Sequence, residues 1–174
     1  MKALVIYSSQ TGFTKRYAEW IAEALGGEAA AYETVKSKEE DYFNAFDALI
    51  YGGWANTGRI VKADWFLAKT SAWKNKKVAL YCVGAAKPDD KRMATTLDKL
   101  LTDEQKTFIK TFYFIGGVNY SQMKLSHKVA MKAYAGMLKK DKDPEVQEYG
   151  KLIADSFDAS DKKYIQPLVD YIKV

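Results

Sequence analysis

The stretch ALVIYSSQTGFTKRYAEW, residues 3–20, changes from one periodicity to another across a single loop. Ala3 to Tyr7 is an unbroken apolar run, the pattern of a strand buried on both faces. Tyr17, Ala18, Ile21, Ala22 and Leu25 then recur at helical spacing, and Gly26-Gly27 ends that helix. Between the two lie Ser8, Ser9, Gln10, Thr11, Gly12, Phe13 and Thr14, with several hydroxyls, one glycine and no charge. A buried strand that turns directly into an amphipathic helix is the opening unit of a parallel α/β sheet.

The same alternation runs along the chain. A weaker second strand is expected around Ala29 to Val35, a third at Phe46 to Gly53, a fourth at Lys77 to Val83 and a fifth at Thr111 to Gly117. Helices are expected around Trp65, Phe66 and Ala68, from Met93 to Leu101 and over Asp103 to Ile109. Later ones are expected from Ser126 to Leu138, from Pro144 to Ala154 and up to Ile172. Proline inside a helix costs about 3 kcal/mol, so the last regular helix should begin near Pro167. Right-handed crossovers join such strands into a doubly wound, three-layer α/β/α sandwich. Ligands of these sheets bind beyond the carboxyl ends of the strands, which directs attention to loops 8–14, 52–60, 83–90 and 116–124.

At 174 residues the chain reads as one domain, 1–174, without repeats, linkers or low-complexity segments. No apolar run reaches the roughly 18 residues a membrane span needs, and the run at Ala3 to Tyr7 is too short for a signal-peptide core. One cysteine, Cys82, excludes an intramolecular disulfide and fits a cytoplasmic setting. With no Cys/His cluster, no metal is expected. The net charge of +5 favours an anionic substrate, an acidic partner or an anionic membrane surface. No nucleic-acid partner is expected.

One glycine is too few for a dinucleotide fingerprint, and no Gly-Lys-Ser/Thr follows, which excludes a nucleoside-triphosphate P-loop. A hydroxyl-rich turn at a helix N-terminus suits a single phosphate, with Ser9, Thr11 and Thr14 adding donors. A plain helix cap is the other reading of the same residues.

The pattern Ser9-x-Thr11-Gly12-x-Thr14 resembles the phosphate loop of the flavodoxins. That resemblance implies FMN as cofactor, a sheet of five parallel strands in the order 2-1-3-4-5, and a phosphate wrapped by Ser9, Gln10, Thr11, Gly12, Phe13 and Thr14. Gln10 and Phe13 are unusual for an electron-carrier flavodoxin. A flavin needs two further walls, and residues Gly53, Trp54, Ala55, Asn56, Thr57 and Gly58 offer one, with Trp54 as the stacking ring. Gly58 resembles the peptide that responds to flavin reduction in this family. Val83, Gly84, Ala85 and Ala86 supply the other wall through backbone N–H groups. Cys82 reads as a small buried hydrophobe and His127, the only histidine, as a surface residue.

Carrier flavodoxins resemble one another in being acidic around the flavin, and this chain is basic. It also carries an insertion, 118–142, in which Lys124, Lys128 and Lys132 line one helical face. Val129, Ala130, Ala133, Tyr134, Met137 and Leu138 form the opposite, apolar face. Gly116, Gly117 and Tyr120, the basic helix after them and the AAKPDDKR stretch together look like the menaquinone-dependent protoporphyrinogen dehydrogenase branch. The resemblance implies an FMN-dependent oxidoreductase that passes electrons from a porphyrinogen to a quinone. It also implies peripheral membrane contact through 124–142 at the inner face of the membrane. Arg59, Lys87, Lys124 and Lys128 are then candidate anion contacts. A non-catalytic electron-transfer protein and an NAD(P)H-dependent quinone reductase are the alternatives. No side chain stands out as a catalytic acid or base.

Overall fold

The computed structural model describes residues 1–56, 58–87 and 91–174. Strand β1 (Ala3–Tyr7) leads into α1 (Phe13–Leu25), β2 (Glu28–Ala31) and the short helices α2 (Tyr32–Val35) and α3 (Glu40–Asn44). Then come β3 (Ala48–Asn56), β4 (Arg59–Ile60), α4 (Ala63–Leu67), β5 (Lys77–Gly84), α5 (Lys91–Asp98), α6 (Asp103–Lys106) and β6 (Ile109–Ile115). The chain ends with β7 (Gly117–Val118), α7 (Leu125–Leu138), α8 (Pro144–Leu152), β8 (Phe157–Asp158) and α9 (Gln166–Lys173). The central parallel order is β2-β1-β3-β5-β6, while β4 folds back antiparallel on the end of β3. With that hairpin strand set aside, the order is the expected 2-1-3-4-5 of a three-layer, flavodoxin-like sandwich.

Both faces of the sheet are covered because its strands are apolar on both. Val5, Ile50, Ala79 and Phe114 pack under Ile21 of α1 and Leu168 and Ile172 of α9. Leu4, Ile6, Leu49 and Leu80 pack on the other side against Phe43, Phe66 and Trp73. Tyr17 fixes α1 relative to the sheet. Its hydroxyl donates to the Ile115 carbonyl at 2.6 Å and accepts the Asp161 N–H at 3.2 Å. Burial pushes that phenol up to about 12, so it stays neutral.

Several boundaries differ from the sequence reading. β2 stops at Ala31 because Tyr32–Val35 coils into α2, which buries Val35 and sets Tyr32 edge-on to Trp65 at 5.2 Å. β3 runs past Gly53 to Asn56 and β4 takes up Arg59–Ile60, so most of the supposed loop 52–60 is strand. The fifth parallel strand, β6, starts at Ile109 and ends at Ile115. α9 starts beside Pro167, where the missing N–H would have had no intrahelical partner.

β7 and β8 pair antiparallel, so residues 117–158 leave and rejoin the sandwich at one place. Gly116 stands at that junction: its N–H donates to the Gly84 carbonyl at 2.7 Å, and its carbonyl accepts the Ala159 N–H at 2.8 Å. The excursion has its own small core of Val118, Tyr120, Ala135, Leu138, Ile153 and Ala154. α7 and α8 touch at Gly150, where a Cβ would stand 2.8 Å from both the Leu138 Cβ and the Lys139 nitrogen.

The two-faced helix read from the sequence needs correction. The covered residues of α7 are Ala135 and Leu138, with His127 and Met131 half-buried, whereas Val129, Tyr134 and Met137 are exposed. Lys132 is not one of a row of solvated lysines. Its ammonium donates to the Ala154 carbonyl, just past the end of α8, and lies over the Tyr120 ring. Among the described residues no helix is long and apolar enough to cross a membrane.

Candidate functional site

The loop after β1 begins where the Ser8 N–H donates to the Gly52 carbonyl at 2.9 Å. Gly12 stands at the N-cap of α1 with φ +94°, a left-handed conformation that favours glycine, and no side chain caps the helix. The helical ladder starts with the Arg16 N–H bonding the Gly12 carbonyl at 3.0 Å. The N–H groups of residues 13–15 therefore have no acceptor within the helix. Ser9 Oγ is buried without a partner, the only such side-chain atom among the described residues. A buried polar atom left unpaired needs an explanation. The plain-cap reading fails here, because the hydroxyls are not spent on the helix. Thr14 is buried, and its carbonyl accepts the hydroxyl of Tyr81 at 3.1 Å. Complete burial holds that phenol well above its usual range.

This loop forms one end of a pocket of about 510 Å³, reached by Gln10, Thr11, Phe13 and Thr14. Phe13 also packs into the core, against the backbone at Gly116 and Gly117. Trp54, Ala55 and Asn56 of β3 form a second wall together with Gly58, whose φ of +79° makes the hairpin turn. Thr57, also expected here, lies outside the described residues. Gly53 is not on the wall. A Cβ there would stand 2.5 Å from Ile60 Cγ2 and 2.8 Å from the Val61 carbonyl oxygen, so this glycine serves the fold-back of β4. The Tyr51 hydroxyl donates to the same Val61 carbonyl at 2.8 Å and fastens the hairpin.

Val83, Gly84, Ala85 and Ala86 line the pocket as its third wall. Tyr113 Oη donates to the Ala86 carbonyl at 2.9 Å, and a Cβ on Gly84 would stand 2.8 Å from the Tyr113 hydroxyl oxygen. The segment is thus shaped by close backbone approach. Cys82 faces away into the core, and burial pushes its thiol up to about 12, so it supplies no nucleophile.

The fourth wall was not foreseen. Met123 and, from α7, His127, Ala130, Met131 and Tyr134 complete the lining, joined by Tyr149 of α8. His127 Nδ1 lies 3.0 Å from Gln10 Oε1, a hydrogen bond in the tautomer protonated at Nδ1. Its ring stands edge-on to Trp54 at 5.3 Å. The surface role assigned to His127 is therefore replaced by a pocket role. Met123 lies just before α7, and His127, Ala130, Met131 and Tyr134 share one face of that helix. Arg59, Lys87, Lys124 and Lys128 are all exposed, and none of them reaches the wall.

The described lining holds no carboxylate, ammonium or guanidinium. Among the described residues no three His, Cys, Asp or Glu side chains gather to hold a metal. One end of the pocket favours an anion through backbone dipoles and hydroxyls, and its body is aromatic and aliphatic. Such a pocket binds and orients; reactive chemistry would have to arrive with a bound group.

A family model described as a flavodoxin domain matches residues 4–145. Similar solved structures include the Trp repressor binding protein from Bacillus subtilis, at 12% identity and a TM-score of 0.50, covering 82% of this chain and 100% of that one. A flavodoxin from the domain Archaea matches at 15% identity and a TM-score of 0.45, over 89% of this chain and 95% of that one. A flavoprotein from Lactobacillus acidophilus NCFM in complex with FMN matches at 16% identity and 0.46, over 66% and 91%. At such identities the likeness concerns the fold. No curated protein matches the chain.

Proposed function

The chain belongs to the flavodoxin domain family, and from that premise we propose that it is an FMN-binding redox protein working on a small-molecule partner. The observation that carries this reading is the uncapped start of α1, which opens through Gln10, Thr11, Phe13 and Thr14 into an aromatic pocket of about 510 Å³, with the unpartnered Ser9 hydroxyl in the same loop. The residues present fit the cofactor. Ser9, Thr11 and Thr14, with the N–H groups around Gly12, would hold its phosphate. Trp54 and the 83–86 backbone would bound its ring system, and Asn56 and Gly58 would line its edge. FMN, when bound, supplies reversible electron transfer, while the protein sets position and electrostatics.

An enzyme is favoured over a carrier by the fourth wall. Side chains from 123 to 134 line the pocket and would narrow a protein partner's access to a bound ring. The net charge of +5 also departs from the acidic surround that carriers share. Within the family we place the chain nearest the protoporphyrinogen-dehydrogenase-like oxidoreductases, on the strength of the excursion after β6 and its lysines. The membership itself fits a non-catalytic carrier equally well.

The test is anaerobic photoreduction of the FMN-loaded protein, followed by separate mixing with a porphyrinogen, quinones and NAD(P)H. The enzyme reading expects turnover with a porphyrinogen donor or a quinone acceptor. A protein that exchanges electrons only with another protein is a carrier.

A further inference from the structure

We propose that Gln10 and His127 form a clasp that couples occupancy of the phosphate loop to the seating of α7, which makes His127 a positioning residue. This proposal rests on the flavin reading above. The two side chains are 117 positions apart in sequence yet meet at 3.0 Å, and both line the pocket. His127 also touches Trp54, so one imidazole contacts the loop after β1 and the end of β3 together.

α7 is suited to an adjustable seat. Leu125, Val129 and Met137 are each more than 60% exposed, so the helix rests on a narrow line of side chains. Elements held by few buried contacts open at the lowest free-energy cost. The other end of the excursion is fastened differently. Arg16 of α1 donates to Asp158 Oδ2 at 2.5 Å and to Ser160 Oγ at 2.6 Å, beside β8. Residues 117–158 therefore meet the loop-and-α1 unit at β8 through Arg16, at Gly117 against Phe13, and through the Gln10–His127 hydrogen bond. A phosphate gripped by the 8–14 backbone restricts residue 10, and the Gln10–His127 bond then costs less ordering to form. Coupling of this kind is reciprocal, so a seated α7 must also strengthen ligand binding at the loop.

The clasp also accounts for Gln10, the loop residue unusual for a carrier. Its main chain belongs to the loop, and its side chain is used by the excursion.

The experiment uses the full chain with FMN as probe and the variants Gln10→Ala, His127→Ala, His127→Gln and the double alanine. Hydrogen exchange of peptides over 8–16 and 123–134 is followed with and without FMN, beside fluorescence titration. FMN should slow exchange in both segments of the wild type. In either alanine variant it should slow exchange in 8–16 alone, and affinity should fall about 2- to 12-fold, as for one neutral hydrogen bond. The double variant should be no weaker than the weaker single one, and His127→Gln should recover part of the loss. Equal protection of 123–134 in wild type and His127→Ala, or additive losses in the double variant, would overturn the clasp alone. Should His127→Ala misfold, Gln10→Ala tests the same bond from the other side. A wild-type chain that binds no FMN removes the flavin reading and the clasp together.

Discussion

The loop after β1 and the excursion after β6 line one pocket and meet at Gln10 and His127, yet they are built by opposite means. The loop is backbone, hydroxyls and one left-handed glycine, anchored in the deepest part of the sheet. The excursion is a side-chain wall on a helix pair whose small core is separate from the main one. What the contrast teaches is a division of labour under the proposed reading: the backbone of a helix start would hold the phosphate, while the side-chain wall would set what meets the ring.

The comparison breaks first at Ile153, which is fully buried in the small core. Ile153→Ala should cost about 2–5 kcal/mol. The loss should show in exchange across α7 and α8 and leave the slow exchange of β1, β3 and β5 in place. Loss of protection in the central sheet to the same degree would mean that the two regions are one cooperative unit. Gly150→Val drives a side chain into Leu138 and the Lys139 backbone, an overpacking worth about 1–3 kcal/mol. It should prise α7 from α8 and weaken substrate turnover more than FMN binding.

On the loop side, Ser9→Ala removes a buried hydroxyl that has no partner. Thermal stability of the FMN-free protein should hold or rise slightly, while FMN affinity falls about 10-fold, as for a lost hydrogen bond to a charged group. A fall in both would show that the hydroxyl is structural.

The smallest effect concerns the tie at β8. Partial burial of Asp158 works against its charge, but hydrogen bonds from Arg16 and Ser160 outweigh it and hold the carboxyl below its usual 3.8. A carboxylate depressed in the folded state stabilises above its unfolded value, and that contribution is lost as pH falls through the folded one. Acid below about pH 4 should therefore loosen 117–158, by less than about 1 kcal/mol because the pair is solvent-exposed. Arg16→Ala should erase that acid step in exchange rates.

These differences track what was legible beforehand. The strand, loop and helix of residues 3–25 are local, so periodicity and composition were enough to single out the uncapped helix start and the pocket residues Thr11 and Thr14. Strand ends pointed to the segments of Trp54 and of Val83 to Ala86, which line the same pocket, and the flavodoxin resemblance named them as walls. Gly53 was misassigned because a glycine beside a ligand and a glycine beneath a hairpin look alike until Ile60 and Val61 fold back on it. α7 was misread for a related reason. Its apolar residues run nearly all the way round, and spacing tells which side chains share a face without telling which face α8 and the pocket will cover. His127 gave no local sign, because Gln10 and Trp54 come to it only through the tertiary fold.

The central claim is that the uncapped, uncharged start of α1 holds the phosphate of FMN. It is tested most directly by titrating the flavin-free protein with FMN and with riboflavin, following quenching of flavin fluorescence. The account predicts saturable FMN binding at least about 10-fold tighter than riboflavin, the contribution of charge-assisted hydrogen bonds to one phosphate. Equal affinity for the two, or no quenching at high micromolar FMN, would contradict it.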